Sequence, residues 1–87
     1  MNNINIELRM FMTFKQYLPE GSSEGKAKIS LGQGATIGDI SKILNIPANL
    51  PKLVILNGVS HGISDENEAL VLKEGDIVSI FPPAGGG

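Results

Sequence analysis

One stretch of this sequence, "TIGDISKILNIP", carries a helical pattern, whereas the apolar residues of most other segments alternate with polar ones. Thr36 is a good N-cap, Asp39 follows three residues later as in a capping box, and Pro47 ends the pattern. The apolar residues recur at helical spacing and form the predicted buried face, at Ile37, Ile40, Ile43 and Leu44. A single helix of about three turns can cover one face of a four- or five-stranded mixed sheet.

Alternation with a period of two residues predicts strands before and after this helix. The first two predicted strands, at residues 4–12 and 26–31, suggest an antiparallel hairpin with a long tip. After the helix, the apolar run "KLVILNG" predicts a strand that is closed by the turn dipeptide Asn57-Gly58. A short strand or bridge at residues 69–72 and a last strand at residues 77–81 complete the pattern.

Two connecting segments also have readable patterns. One helical turn facing the core is predicted around Phe14, Tyr17 and Leu18. The apolar cluster of Met10, Phe11, Met12 and Phe14 is expected to belong mostly to the core, with the alternative that part of it faces a partner, because a strand of a small sheet has two sides. The segment 73–76 predicts a tight turn, with Gly75 at positive φ and Asp76 bonding the local backbone.

The order strand, strand, helix, strand, short strand, strand is the one expected for an α+β fold of the β-grasp, or ubiquitin-like, type. A right-handed crossover would place the strand after the helix parallel to an earlier strand. The predicted division is a β-grasp domain at residues 1–81 and a flexible C-terminal tail at residues 82–87. If the last strand lies inside the sheet, the tail leaves from its end into solvent.

Composition and charge exclude several classes of protein. The chain has 87 residues, enough for one domain, and its net charge is −2 with scattered Lys and Arg, which argues against a nucleic-acid partner. No apolar run is long enough to span a membrane and no signal pattern opens the chain, so we expect a cytoplasmic protein with no membrane partner. Cysteine is absent and His61 is the one histidine, so a metal site is not expected.

The sequence ends in "FPPAGGG", which has no charged side chain between Phe81 and the terminal carboxylate of Gly87. Pro82 and Pro83 fix φ and favour an extended exit from the last strand. Because glycine lacks a Cβ, Gly86 and Gly87 can pass through a tunnel too narrow for other residues. The four residues after Pro83 span at most about 14 Å, so the tail can enter a partner's cleft while the domain stays outside.

Four stretches of the chain resemble the MoaD/ThiS family of ubiquitin-like sulfur carriers, which includes the small subunit of molybdopterin synthase. They are "FMTFKQYLPEG" after the first strand, "ATIGDI" at the helix start, "VILNG" at the middle strand and turn, and "LKEGDIVSIFPPAGGG" at the end. The last stretch is the most specific of the four. The resemblance spans essentially the whole chain.

The resemblance implies a sulfur-carrying subunit of a molybdopterin synthase-like complex rather than an enzyme by itself. It implies no bound cofactor: an adenylating enzyme of the MoeB/ThiF type would use ATP to activate the Gly87 carboxylate, and a sulfur donor would convert it to a thiocarboxylate. The tail would deliver this sulfur in the large subunit of molybdopterin synthase, or to thiazole synthase in the thiamine pathway. The residues expected to contact partners are Phe81, Pro82, Pro83, Gly85 and Gly86.

Three alternatives remain open. "FPP" followed by four residues is typical of the molybdopterin type, whereas the triple glycine resembles the thiamine type, and Ala84-Gly85 stand where bulkier pairs are commoner. A ubiquitin-like modifier, joined through Gly87 to lysines of other proteins, would share the adenylation step. A plain β-grasp binding module would make no chemical use of the tail, because a fold alone does not specify a function.

Overall fold

The computed structural model describes residues 2–47 and 49–83. In chain order, its elements are β1 (Asn3–Met10), a first 3₁₀ helix (Met12–Tyr17), β2 (Lys26–Gly32), α1 (Ile37–Ile43), β3 (Leu53–Leu56), β4 (Val59–Ser60), a second 3₁₀ helix (Asp65–Ala69) and β5 (Ile77–Phe81). The strands form one five-stranded mixed sheet in the order β2-β1-β5-β3-β4. The predicted α+β architecture of the β-grasp type is therefore confirmed.

The last strand, β5, lies at the centre of this sheet. It pairs in parallel with β1 and antiparallel with β3, while β1 and β2 form the predicted antiparallel hairpin. These pairings make β3 run in the same direction as β2, so the strand after the helix is parallel to an earlier strand, as expected. The two strands are not neighbours, because β1 and β5 lie between them.

The core lies between α1 and one face of the sheet, where alternate residues of the strands are buried. In β1 every second residue is buried, from Ile4 to Met10, and in β5 the two buried residues are Val78 and Ile80. These residues belong to one apolar cluster together with Ile37 and Ile40 of α1 and with Phe14, Leu31, Ile46, Val54 and Leu72. The opposite face of the sheet, which we call the open face, carries the alternate, less buried residues.

Helix α1 is shorter than predicted, because a backbone motif ends it before Pro47. Its seven residues make about two turns rather than three. Asn45 adopts a left-handed φ of 60°, and the N–H groups of Asn45 and Ile46 donate to the carbonyls of Lys42 (3.3 Å) and Ser41 (2.8 Å), which is the Schellman pattern. The expectation that Ile43 is buried was wrong: it is 56% exposed, and Ile46 after the turn is buried instead.

The end of β1 also differs from the prediction. The strand ends at Met10 rather than at residue 12, because Met12 takes a φ of 55° and begins the first 3₁₀ helix. The predicted helical turn is present there, with Phe14 buried. Met12 itself is 72% exposed, so its assignment to the core was wrong.

A hydrogen-bonded clamp at the start of β5 sets the register of this strand. Gly75 has the predicted positive φ, 84°, and Asp76 Oδ2 accepts from the Lys73 N–H at 2.8 Å, also as predicted. Asn57 adds a link that the sequence did not indicate: its Oδ1 accepts from the Ile77 N–H (2.8 Å) and its Nδ2 donates to Asp76 Oδ1 (2.9 Å). The turn after β3 is therefore tied to the first residues of β5.

The segment between the second 3₁₀ helix and β5 holds the start of α1. A single bridge pairs Thr36 with Val71, in agreement with the predicted strand or bridge at residues 69–72. A Cβ on Gly38 would lie 3.0 Å from the carbonyl oxygen of Glu68 in the second 3₁₀ helix, so glycine lets the first turn of α1 approach this helix closely. The position of the helix over the sheet thus depends on contacts at its N-terminus.

The first prediction concerns the capping box at this N-terminus. Thr36 Oγ1 accepts from the Asp39 N–H (3.3 Å), and Asp39 Oδ2 accepts from the Thr36 N–H (2.9 Å). Thr36→Ala should lower the free energy of unfolding by about 1 kcal/mol and the Tm by about 4 to 8 °C. Thr13→Ala, at an exposed threonine of the first 3₁₀ helix, is the matched control. Equal Tm losses in the two variants, measured by circular dichroism, would contradict a capping role.

Candidate functional site

The central position of β5 places Phe81 on the open face. Val78 and Ile80 are fully buried beneath α1, so Ile77, Ser79 and Phe81 point to the other side of the sheet, where each is only partly buried. The sequence could not separate a core role for Phe81 from a partner-facing one. In the structure this side chain contributes to the open face, at the end of the strand from which the tail departs.

Phe81 is part of an apolar ridge that also contains Phe11 and Leu53. The rings of Phe11 and Phe81 are stacked, with centroids 4.1 Å apart and planes 5° apart. The Phe11 N–H donates to the Ile80 carbonyl at 3.1 Å, which extends the parallel β1–β5 ladder by one bond. Leu53 lies directly opposite Phe81 in the antiparallel β3–β5 pair. All three side chains of the apolar ridge are partly exposed.

Pro82 and Pro83 follow β5 directly, and both are partly buried. Since proline has no N–H, neither residue can donate to the ladder, so β5 ends at Phe81. Three of the predicted contact residues, Phe81, Pro82 and Pro83, therefore lie together at one end of the sheet. The other predicted site residues, Gly85, Gly86 and Gly87, lie outside the described residues, and the division at residue 81 into domain and tail stays a prediction.

A second group on the open face was missed by the sequence analysis, which treated the basic residues as scattered. Arg9 of β1 lies directly opposite Lys26 of β2, and Glu7 lies directly opposite Lys28. We call Arg9, Lys26 and Lys28 the basic strip. The signal was present in the sequence, because the three cations occupy alternate positions of two strands, but it becomes readable only when the hairpin register is known.

The charges of the basic strip act on Glu7, which lies among them. Arg9 donates a short hydrogen bond to the Glu7 carboxylate. This hydrogen bond, together with the positive charges of Arg9, Lys26 and Lys28, holds the pKa of Glu7 below its usual value. Three cations surround this carboxylate, and Glu74 lines the same depression as Glu7 and Lys28, so the three cations still outnumber the two carboxylates on this part of the open face.

Three other points about the described residues concern a membrane-spanning helix, a metal site and the one histidine, which has a structural contact. Within residues 2–47 and 49–83, no helix has the length and apolar character that crossing a membrane requires. The same residues contain no group of three or more histidine, cysteine or carboxylate side chains placed to hold a metal ion. His61 donates its backbone N–H to the Val54 carbonyl at 2.8 Å and so continues the β3–β4 hairpin.

The second prediction tests the ring stack at the centre of the apolar ridge. In a double-mutant cycle, Phe11→Leu and Phe81→Leu should show a coupling free energy of about 0.5 to 1.5 kcal/mol, because either change alone already removes the stack. Urea unfolding of the four proteins measures this coupling. A control cycle pairs Phe11→Leu with Val59→Ala in β4, where no coupling is expected. Additive losses in the first cycle would show that the stack contributes no stability.

No protein-family model matches the sequence, and no curated protein matches it significantly. Among solved structures, the Haloferax volcanii protein HVO 2177 has a TM-score of 0.71 and 27% identity, with 98% of this chain and 88% of that chain covered.

Two further solved structures share the fold. A candidate molybdopterin converting factor, subunit 1, from Pyrococcus furiosus has a TM-score of 0.63 and 22% identity over 93% of this chain and 99% of its own. SAMP1 from Haloferax volcanii has a TM-score of 0.62 and 20% identity over 95% of this chain and 99% of its own. By its fold, this chain is a ubiquitin-like β-grasp protein.

Proposed function

We propose that this chain is a ubiquitin-like sulfur carrier that delivers sulfur from Gly87 in molybdopterin biosynthesis. The observation that carries the proposal is the position of β5: the central strand of a ubiquitin-like sheet runs directly into Pro82-Pro83 and the sequence "AGGG". The structural likeness to a candidate molybdopterin converting factor subunit supports this pathway. The domain presents the tail, and the tail carries the reacting group.

The chemistry follows from the poor reactivity of a carboxylate. An oxygen of the Gly87 carboxylate attacks the α-phosphorus of ATP, pyrophosphate leaves, and an acyl-adenylate forms. Hydrosulfide, as the sulfur donor, then attacks the carbonyl carbon, a C–S bond forms as the C–O bond to AMP breaks, and loss of the proton leaves a thiocarboxylate. Covalent activation divides one difficult step into two easier ones. ATP and the sulfur donor are used through a MoeB/ThiF-like adenylating enzyme, and the chain itself binds no cofactor.

The residues near the tail would have separate tasks in this reaction. The apolar ridge offers Phe81 as a contact for the partner at the base of the tail. Pro82 and Pro83 restrict φ and extend the chain. Gly85 and Gly86 have no Cβ to obstruct a narrow channel. The large subunit of molybdopterin synthase would receive the tail that carries the thiocarboxylate. In the thiamine pathway, which the triple glycine favours, thiazole synthase would receive it instead.

The third prediction is the modification itself. The untagged chain, incubated with its activating enzyme, ATP and a sulfur source, should gain the mass of one sulfur in exchange for one oxygen at Gly87. A variant lacking Gly86 and Gly87, and the variant Gly86→Val, should stay unmodified and keep the wild-type Tm, because the buried core described above is formed by residues 4–80. Intact-mass spectrometry measures the modification, and circular dichroism measures the Tm.

The matched control is Gly32→Val on the exposed edge strand β2. A Cβ at Gly32 has open space around it, so this variant makes the same chemical change outside the tail and should be modified like the wild type. Modification of Gly86→Val at the wild-type rate would contradict the channel argument. An unmodified wild type with a competent activating enzyme would contradict the proposed function.

A modifier function is the second candidate, and the structural likeness to SAMP1, whose name in full is small archaeal modifier protein 1, favours it. Here a lysine of another protein would attack the activated Gly87 carbonyl, and an isopeptide bond would form as AMP leaves. Sulfur carriage and conjugation share the adenylation step, so the wild-type chain must be examined for both products.

The fourth prediction separates these two candidates in cell extract. Lys73 is the last basic residue, so trypsin would leave residues 74–87 attached to any conjugated lysine. The sulfur-carrier proposal predicts a thiocarboxylate on the free chain and no such remnant on the lysines of other proteins. Remnants without thiocarboxylate, found by peptide mass spectrometry, would favour the modifier. An extension of the chain beyond Gly87 should abolish both products.

A further inference from the structure

The apolar ridge has the properties of a binding anchor rather than of core. Phe11, Phe81 and Leu53 are only partly buried, although they lie side by side on the open face. The stack of the two rings holds both in one orientation, so little side-chain freedom remains to be lost on binding. Large aromatic side chains that fill a partner's pocket commonly dominate the energy of an interface. The apolar ridge therefore fits an apolar pocket.

The basic strip flanks this apolar ridge on the same face. Arg9 is a residue of β1, and it precedes Phe11 by two positions in the sequence. Lys26 of β2 is paired with Arg9 across the hairpin. Two like charges directly opposite each other destabilise a sheet, and Glu7 offsets this only in part, since it is one carboxylate among three cations. The remaining positive charge has no partner within the strip and is available to an external anionic group.

A depression of about 300 Å³ joins the two groups. Phe11 lines it together with three cations, Arg9, Lys15 and Lys26, and Glu24 is the single acidic side chain among the described residues of its lining. The side chain of Lys15 borders one side of this depression. Its Cε lies 3.6 Å from the position that a Cβ on Gly25 would occupy. A carboxylate side chain entering this depression would meet several positive charges beside an aromatic ring.

We propose that the open face binds a protein partner whose apolar pocket is rimmed by carboxylates. The apolar ridge fills the pocket, and the basic strip, with Lys15, pairs with the acidic rim. Complementary charge of this kind raises the association rate and selects among partners more than it raises affinity. The inference rests on the proposed function in one respect: the binding partner used in the experiment is the adenylating enzyme that would act on Gly87.

The charges on the rest of the molecule favour one orientation of such a partner. The second 3₁₀ helix, which packs against the start of α1, carries Asp65, Glu66 and Glu68 in its first turn, and of these Glu68 is paired with Lys52 at 3.2 Å. An acidic partner surface is attracted by the basic strip and repelled by this helix. The positive and negative side chains that make up the net charge of −2 are therefore unevenly distributed over the surface. This distribution favours an encounter in which the open face is directed towards the acidic partner.

The same observations favour a protein over a nucleic acid as the occupant. Strong binding to a duplex typically uses about six to ten phosphate contacts. The basic strip has three cations with Glu7 among them, and the chain as a whole is negative. A pocket with a few carboxylates matches this small excess of positive charge, whereas a continuous phosphate backbone does not.

The fifth prediction tests the proposal by charge reversal. The full chain is titrated with the activating enzyme, without ATP, at about 0.1 M and about 1 M salt, where the Debye lengths are about 10 Å and about 3 Å. Lys26→Glu and Lys28→Glu should each weaken binding on the order of threefold to tenfold at low salt, with a smaller loss at high salt. Leu53→Ala in the apolar ridge should weaken binding similarly at both salt concentrations.

The matched control is Lys42→Glu on α1, an exposed lysine on the covered side of the sheet. It changes the net charge from −2 to −4, as each strip variant does, and should bind within about twofold of the wild type. If a new carboxylate beside Glu7 prevents folding, Lys26→Gln removes the charge without adding repulsion and should show a smaller loss in the same direction.

Strip variants that bind the enzyme like Lys42→Glu, a wild-type affinity independent of salt, or no binding at all would overturn the proposal. The same variants are also titrated with a single-stranded RNA oligonucleotide at the lower salt concentration. If the wild type binds this RNA, and the strip variants lose RNA binding but keep wild-type enzyme binding, the proposal is overturned and the strip is assigned to nucleic acid. The proposed function fails separately. In that case the wild type binds the enzyme through the open face, yet no thiocarboxylate forms on Gly87 when ATP and sulfur are added.

Discussion

The parallel pairing of β5 with β1 is the interaction on which the rest of this structure depends. It puts the last strand at the centre of the sheet, where Val78 and Ile80 are fully buried. Because side chains alternate along a strand, the same pairing sends Phe81 to the open face. A slip of one residue would exchange the two faces, and the clamp between Asn57, Asp76 and Ile77 opposes such a slip.

Under the proposed function, this arrangement separates recognition from chemistry. The apolar ridge and the basic strip belong to a sheet whose geometry is held by the core, whereas the proposed reacting group at Gly87 lies beyond the last strand. Substitutions on the open face can therefore change which partner binds without altering the chemistry of the tail. A carrier that must meet an activating enzyme and then a second protein would benefit from this separation, since each partner can use the same tail and read a different part of the surface.

The helix illustrates how local and tertiary signals combine. The capping box of Thr36 and Asp39 is local, and it was readable from the sequence because the spacing of the two residues specifies both hydrogen bonds. The C-terminal end was misplaced because the left-handed residue is Asn45 rather than glycine, so the Schellman motif was overlooked. Ile43 consequently faces solvent, and Ile46 takes the buried place that the helical periodicity had assigned to Ile43.

The sequence by itself determined the four longer strands, the start of the helix, the buried face of β1, the turn at Gly75 and the resemblance carried by the chain's end, but it did not indicate β4 or the second 3₁₀ helix. These features depend on residues close together in the sequence, whose periodicity and turn preferences express themselves locally. Only the tertiary structure decided that Phe81 stacks on Phe11 and that Arg9, Lys26 and Lys28 surround Glu7. Those contacts join different strands, so they follow from sheet order and register, which the long-range packing of the core selects.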